Sequence, residues 1–81
     1  MEIIIKAFAA AKEAFGFQEK KCVVGEGSTV GQVLEMLTRE YPEAASIENT
    51  LLCAVNSEYS GKDKVLHAND ILALFPPVSG G

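Results

Sequence analysis

The stretch DILALFPP, residues 70–77, decides how this chain folds. Ile71, Leu72, Ala73, Leu74 and Phe75 are all apolar, so the segment reads as a strand with no polar side. A strand that is apolar on both faces belongs in the middle of its sheet. Alternate residues point to opposite faces, so Leu72 and Leu74 are expected to face the core, leaving Ile71, Ala73 and Phe75 on the other side. Pro76 and Pro77 have no N–H to offer a ladder, so the sheet must stop at Phe75.

The remaining elements are arranged around that strand. EIIIKAF (2–8) is rich in isoleucine and reads as a strand. Ile3, Ile5 and Ala7 share one parity and are expected inside. Glu2, Ile4, Lys6 and Phe8 share the other, which sets a phenylalanine on a charged face. AAAKEAF (9–15) reads as a short helix ended by Gly16, and FQEKKCVVG (17–25) as a strand paired broadly with the first. STVGQVLEMLTREYP (28–42) has the clearest helical pattern. Thr29 and Gln32 fit a capping box, Val30, Val33, Leu34, Leu37 and Tyr41 fall on one stripe, and Pro42 stops the helix. PEAASIEN adds a helical turn, LLCAVN (51–56) a strand, the residues around Tyr59 a brief strand, and HAND (67–70) a turn. A long helix crossing a mixed sheet whose last strand lies centrally is the β-grasp layout of ubiquitin-like domains. The expected fold is therefore α+β, a mixed sheet of about five strands with one long helix across one face. The domain would span 1–75, with 76–81 as a tail, and the uncovered face would be free to meet a partner.

Composition narrows the function. Eighty-one residues make one domain, with little room for a deep catalytic cavity plus a cofactor. Seven Lys and Arg against eleven Asp and Glu give a net charge of −4, which argues against nucleic acid and suits a basic protein partner. No run approaches the roughly 20 apolar residues that cross a bilayer, and the N-terminus lacks a signal pattern. A cytoplasmic protein without a membrane partner is expected. Cys22 and Cys53 stand far apart in apolar surroundings, and His67 is the single histidine. Zinc would lack ligands. The thiols could form a redox pair or carry persulfide, but two reduced core residues is the simpler expectation.

The chain closes on Val78, Ser79, Gly80 and Gly81. With glycine at about 7% of residues, two at the end by chance has a probability of about 0.5%. Pro76 and Pro77 hold an extended path, and six residues reach roughly 20 Å. Gly-Gly passes a channel too narrow for side chains and leaves the Gly81 α-carboxylate unhindered. A carboxylate is a poor electrophile. Activated as an acyl-adenylate, it can accept sulfur to become a thiocarboxylate, or an amine to become an amide.

LFPPVSGG (74–81) resembles the terminus of the small subunit of molybdopterin synthase, a sulfur-carrier family with a ubiquitin-like fold. FAAAKEAFG (8–16) is similar to that family's Phe-Ala-x-x-Arg-Glu-x-x-Gly segment, with Lys12 where arginine is usual, a change that loses the bidentate fork. LLCAVN matches its Ala-Val-Asn strand, and NDILALFPP its Asp-x-aliphatic-Ala-x-Phe-Pro-Pro run, with Ala-Asn before Asp70 where Asp-Gly is commoner. The resemblance covers the chain. It implies that a ubiquitin-activating-like enzyme adenylates Gly81 with ATP and that a sulfur donor converts the adduct to a thiocarboxylate. The tail would then enter the large subunit of the synthase, in a heterotetramer, and pass sulfur to precursor Z (cyclic pyranopterin monophosphate). No cofactor would be bound permanently, and no activity is expected from the chain alone. Phe8, Tyr59 and Phe75 are then expected to form a docking platform beside the tail residues 76–81, the alternative being that they pack under the Pro-rich segment. Three rivals stand beside this reading: a sulfur carrier of the thiamine pathway, a protein modifier joined to target lysines, and a binding module with an inert tail.

Overall fold

The computed structural model describes residues 1–77. Nine elements follow in order: β1 (Glu2–Ala7), α1 (Ala10–Phe15), β2 (Glu19–Val23), α2 (Val30–Glu40), two 3₁₀ turns (Pro42–Ser46 and Glu48–Thr50), β3 (Leu52–Val55), β4 (Glu58–Ser60) and β5 (Ile71–Phe75). The strands form one sheet in the order β2-β1-β5-β3-β4. β5 is central, parallel to β1 and antiparallel to β3. That is the mixed β-grasp sheet the sequence implies, with α2 as the longer of two helices.

Register sorts the side chains. Ile5 lies opposite Leu72 and Ala7 opposite Leu74, while Cys53 pairs with Leu74 and Val55 with Leu72. This set faces the helices, and Ile3, Ile5, Ala7, Leu72 and Leu74 have no solvent exposure. Against it α2 lays Val30, Val33, Leu34 and Leu37, all buried. Fully burying one such side chain contributes about 1.5–3 kcal/mol before entropy is counted. Tyr41, the last member of the expected stripe, is half-buried at the helix end.

The capping box forms in both directions. The Gln32 N–H donates to Thr29 Oγ1 at 3.2 Å, and the Thr29 N–H donates to Gln32 Oε1 at 2.9 Å. The next two amides of α2 are satisfied by a distant loop: Val30 N–H donates to the Lys64 carbonyl at 2.9 Å and Gly31 N–H to the Lys62 carbonyl at 2.8 Å. A Cβ on Gly31 would stand 3.2 Å from that Lys62 oxygen, so glycine permits this approach. Gly16 ends α1 in a left-handed conformation, its N–H on the Lys12 carbonyl. Pro42 ends α2, as expected, but also opens the first 3₁₀ turn. At a helix's first position its missing N–H costs nothing.

Candidate functional site

The residues on the other parity of the same strands make the uncovered face. In register, Ile4 lies beside Ile71 and Lys6 beside Ala73. Leu52 lies beside Phe75, Ala54 beside Ala73, and Tyr59 beside Ala54. Phe8 follows β1 in the same alternation. Its N–H donates to the Leu74 carbonyl at 3.0 Å, which holds it next to Phe75. Phe8 is 46% exposed, Leu52 40% and Tyr59 78%, while Phe75 is half-buried. The Tyr59 and Phe75 rings meet edge to face, with centroids 5.8 Å apart, in the range where such pairs attract.

Three sequence-derived aromatics therefore share one face, and two of them touch. Phe75 is the last residue of β5, and Pro76 and Pro77 follow it immediately. The aromatic face is thus at the root of the tail. Val78, Ser79, Gly80 and Gly81 lie outside the described residues. Leu52 was not anticipated. The signal that finds it is β3's own alternation: Cys53 and Val55 face inward, so Leu52 and Ala54 face the open side.

Charged groups border this face without covering it. Lys6 Nζ stands 3.9 Å from Glu19 Oε1, both groups well exposed, an ion pair worth little in water. At the start of β5, Asp70 is tied down. Its carboxylate accepts from His67 N–H at 2.7 Å and from Asn56 Nδ2 at 2.9 Å. The Asn56 side-chain oxygen in turn accepts from Ile71 N–H at 2.9 Å. Partial burial pushes the Asp70 carboxyl up, but the His67 amide and the Asn56 side chain, aided by the charges of His67 and Lys64, hold it below its ordinary value. The turn chemistry expected of residues 67–70 is present, and it anchors the central strand to the β3–β4 hairpin.

The remaining candidates sit elsewhere. Cys22 and Cys53 are both buried, on the strand face that carries Ile3 and Leu74. Burial pushes both thiols up, so neither is an activated thiolate at neutral pH. His67 is exposed, 3.9 Å from Asp70 Oδ2. Among the described residues no three His, Cys, Asp or Glu side chains are grouped to hold a metal ion, and no helix is long and apolar enough to cross a membrane. A second aromatic group lies away from the open face. Phe15, Phe17 and Tyr41 pack together with centroids 5.7–5.9 Å apart. Lys20 Nζ closes that group by donating to Tyr41 Oη at 2.6 Å and Glu40 Oε1 at 2.9 Å. Those bonds hold the ammonium above its usual range. It is a structural cluster that the helix stripe foreshadowed only through Tyr41.

A five-stranded β-grasp sheet with one helix-covered face, one aromatic face and a Pro-Pro exit from the central strand defines a ubiquitin-like domain. Comparison with known proteins narrows this. The model of the ThiS family matches residues 5–81, and the chain belongs to that family. It is 31% identical, over all of its length and 84% of the relative's, to the molybdopterin synthase sulfur carrier subunit of Arabidopsis thaliana. Among solved structures it is similar to the small archaeal modifier protein SAMP1 from Haloferax volcanii, at 29% identity and TM-score 0.86, over 100% of both chains. It also shares its fold with a chain of the complex of subunits 1 and 2 of molybdopterin-converting factor from Helicobacter pylori. There the identity is 16%, the TM-score 0.72, and the coverage 100% of both chains.

Proposed function

We propose that this chain is the sulfur carrier of molybdenum cofactor biosynthesis, the small subunit of a molybdopterin synthase. The observation that carries the reading is its match, along its whole length, to a molybdopterin synthase sulfur carrier subunit. The geometry fits that role: Phe8, Leu52, Tyr59 and Phe75 offer an apolar platform where β5 runs into the tail. A large synthase subunit, of the kind joined to its small partner in the Helicobacter complex, would seat on that platform and receive the tail.

The chemistry then runs through one carboxylate. An adenylating enzyme joins the Gly81 carboxylate to the α-phosphate of ATP and releases pyrophosphate. Sulfide delivered by a donor attacks the acyl carbon and displaces AMP, leaving a thiocarboxylate at Gly81. With Pro76, Pro77, Val78, Ser79 and Gly80 threaded into the large subunit, the thiocarboxylate sulfur bonds to a carbon of precursor Z as an oxygen substituent leaves. Water then cleaves the resulting thioester, so the sulfur stays on the pterin and the tail leaves as a carboxylate. A dithiolene has two sulfurs, so two loaded carriers serve each product. This chain supplies the sulfur and the docking face, and the large subunit holds the pterin. A resident cofactor has no part in this cycle.

Intact mass tests the reading. After incubation with an adenylating enzyme, ATP and a sulfur source, the chain should gain the difference between one sulfur and one oxygen. The Gly81-deleted chain should gain nothing. No gain with any competent adenylating enzyme would remove the carrier reading. The likeness to an archaeal modifier protein favours a second use of the same activated terminus, attachment to lysines. That use predicts ladders of conjugates in cell extract that vanish when Gly81 is deleted.

A further inference from the structure

Four described residues other than glycine have positive φ: Ala9 (52°), Asn56 (51°), Ser57 (73°) and Asn69 (69°). Asn56 and Ser57 form the two-residue turn between β3 and β4, and Asn69 lies in the turn before β5. Short polar side chains of this kind tolerate left-handed backbone. Ala9 is different in kind. Its ψ of −126° takes it out of the left-handed helical well and into a region that suits glycine alone. The Ala11 N–H donates to the Phe8 carbonyl at 3.0 Å, so residues 8–11 close a tight turn. Ala9 holds its first central position with the dihedral signs of a type II′ turn, where glycine dominates. An alanine methyl works against the turn it sits in.

The location gives the strain a use. Phe8 is the last residue tied to β5, through its N–H on Leu74, and its carbonyl is the acceptor that closes the strained turn. Phe8, Ala9 and Ala10 are all exposed. Opening the turn would free the Phe8 carbonyl and let the ring shift over Phe75, while Ile3, Ile5 and Ala7 stayed buried. Ala11, fully buried at the far end of the turn, would keep its place in the core, and the movement would fall on Phe8, Ala9 and Ala10. We propose that Ala9 is a spring at one corner of the docking face: the 8–11 turn opens when a partner seats on Phe8 and Phe75, and the relief of strain contributes to docking. Ala9 is a positioning residue in this scheme, acting through Phe8, and the inference rests on the docking role proposed above.

Ala9→Gly tests it, because glycine adopts the same backbone without strain. The variant should melt about 4 °C higher, since the strain removed exceeds the extra freedom glycine gives the unfolded chain. Its Ala11 amide should exchange with solvent roughly three- to tenfold more slowly, because local opening no longer releases strain. Affinity for the synthase large subunit should fall by roughly the same factor. Replacing Ala9 by its D-enantiomer keeps a methyl group and suits positive φ, so it should follow the glycine variant in all three readouts. Unchanged melting and unchanged Ala11 exchange would overturn the strain. Slower exchange with unchanged affinity would overturn its use in docking. A wild-type chain that binds no large subunit overturns the docking role and this linkage with it. The exchange data, taken without partner, then show whether the strain itself was real.

Discussion

The two faces of this sheet are built by the same strands, and β5 shows the contrast within five residues. Leu72 and Leu74 have no exposure, whereas Ile71, Ala73 and Phe75 are half-buried. Both sets are apolar, so composition does not separate them. What separates them is the partner layer. Leu72 and Leu74 face the side that α2 covers in every molecule. Phe75 has Tyr59 and Leu52 beside it, and among the described residues no helix or strand lies above it. Apolar side chains grouped at a sheet's open face are the kind of patch that serves contact with another protein. If the open face docks a partner, as proposed above, stability and recognition are interleaved at every second residue, and a substitution's effect should depend on parity more than on chemistry.

The largest expected effect lies on the covered face. Leu72→Ala should cost about 2–5 kcal/mol, as other leucine truncations in closed cores do, a large share of the 5–15 kcal/mol typical of a whole domain. Urea unfolding of the variant measures it. Under conditions where the variant is folded, docking should be unchanged. Phe75→Ala is the matched experiment three residues away. Its cost to stability should be smaller, about 1–2 kcal/mol, because part of its surface is already wet. Its cost to binding should be about 2 kcal/mol, near thirtyfold in Kd, as for a central aromatic anchor. Calorimetric titration against the synthase large subunit gives the number. Equal losses of stability in the two variants, or unchanged binding in the second, would abolish the distinction between the faces.

How much of this contrast could be read from residues alone follows from how local each signal is. Strand parity is a two-residue rule, so Ile3, Ile5, Ala7, Leu72 and Leu74 could be assigned to the core, and Phe8 and Phe75 to the opposite side, before any coordinates. The Thr29–Gln32 cap is equally plain, being four residues long. Contacts that join distant segments were not legible. The Lys62 and Lys64 carbonyls seat the start of α2 across more than 30 positions, and only Gly31 hints that a backbone must pass close by. The side that Leu52 takes follows from β3's own alternation, but its place beside Phe75 depends on the register of β3 on β5, and register is a property of two strands at once. The turn at Ala9 was hidden for another reason. The sequence offers alanine where the backbone calls for glycine, and local preference points to a continuous helix.

A smaller effect probes the seam between the faces. Asp70 and Asn56 bind the start of β5 to the β3–β4 hairpin, and the Asp70 carboxyl is held below its ordinary 3.8 in the folded chain. A group whose folded value is depressed contributes stability above its unfolded value and loses it as pH falls through the folded one. Asp70→Asn should therefore cost about 1 kcal/mol at pH 7. The gap to the wild type should start to narrow as pH falls below the ordinary 3.8, where the unfolded chain takes up the proton, and close once the native carboxyl is protonated as well. Urea midpoints of both proteins across pH 2–7 would show this (urea series at fixed ionic strength). A gap that stayed constant with pH would mean that the charge on Asp70 contributes nothing, and that shape alone accounts for the loss.

The smallest expected effect is an absence of change at the two sulfurs the chain already owns. Cys22 and Cys53 project to the covered side, and burial raises both thiols. A protonated, enclosed thiol is a weak nucleophile and a plausible piece of core. If sulfur is carried on the Gly81 carboxylate, these atoms lie on the wrong face for the work. Replacing both with alanine should lower stability by about 1–2 kcal/mol through lost packing, yet leave the mass gain on sulfur loading intact. The same double variant should dock like the wild type. A wild-type gain of one whole sulfur, in place of the sulfur-for-oxygen swap, that a folded double variant lacks would move the carried sulfur from the terminus to a cysteine. It would also make the covered face, and not the open one, the place where the chemistry starts.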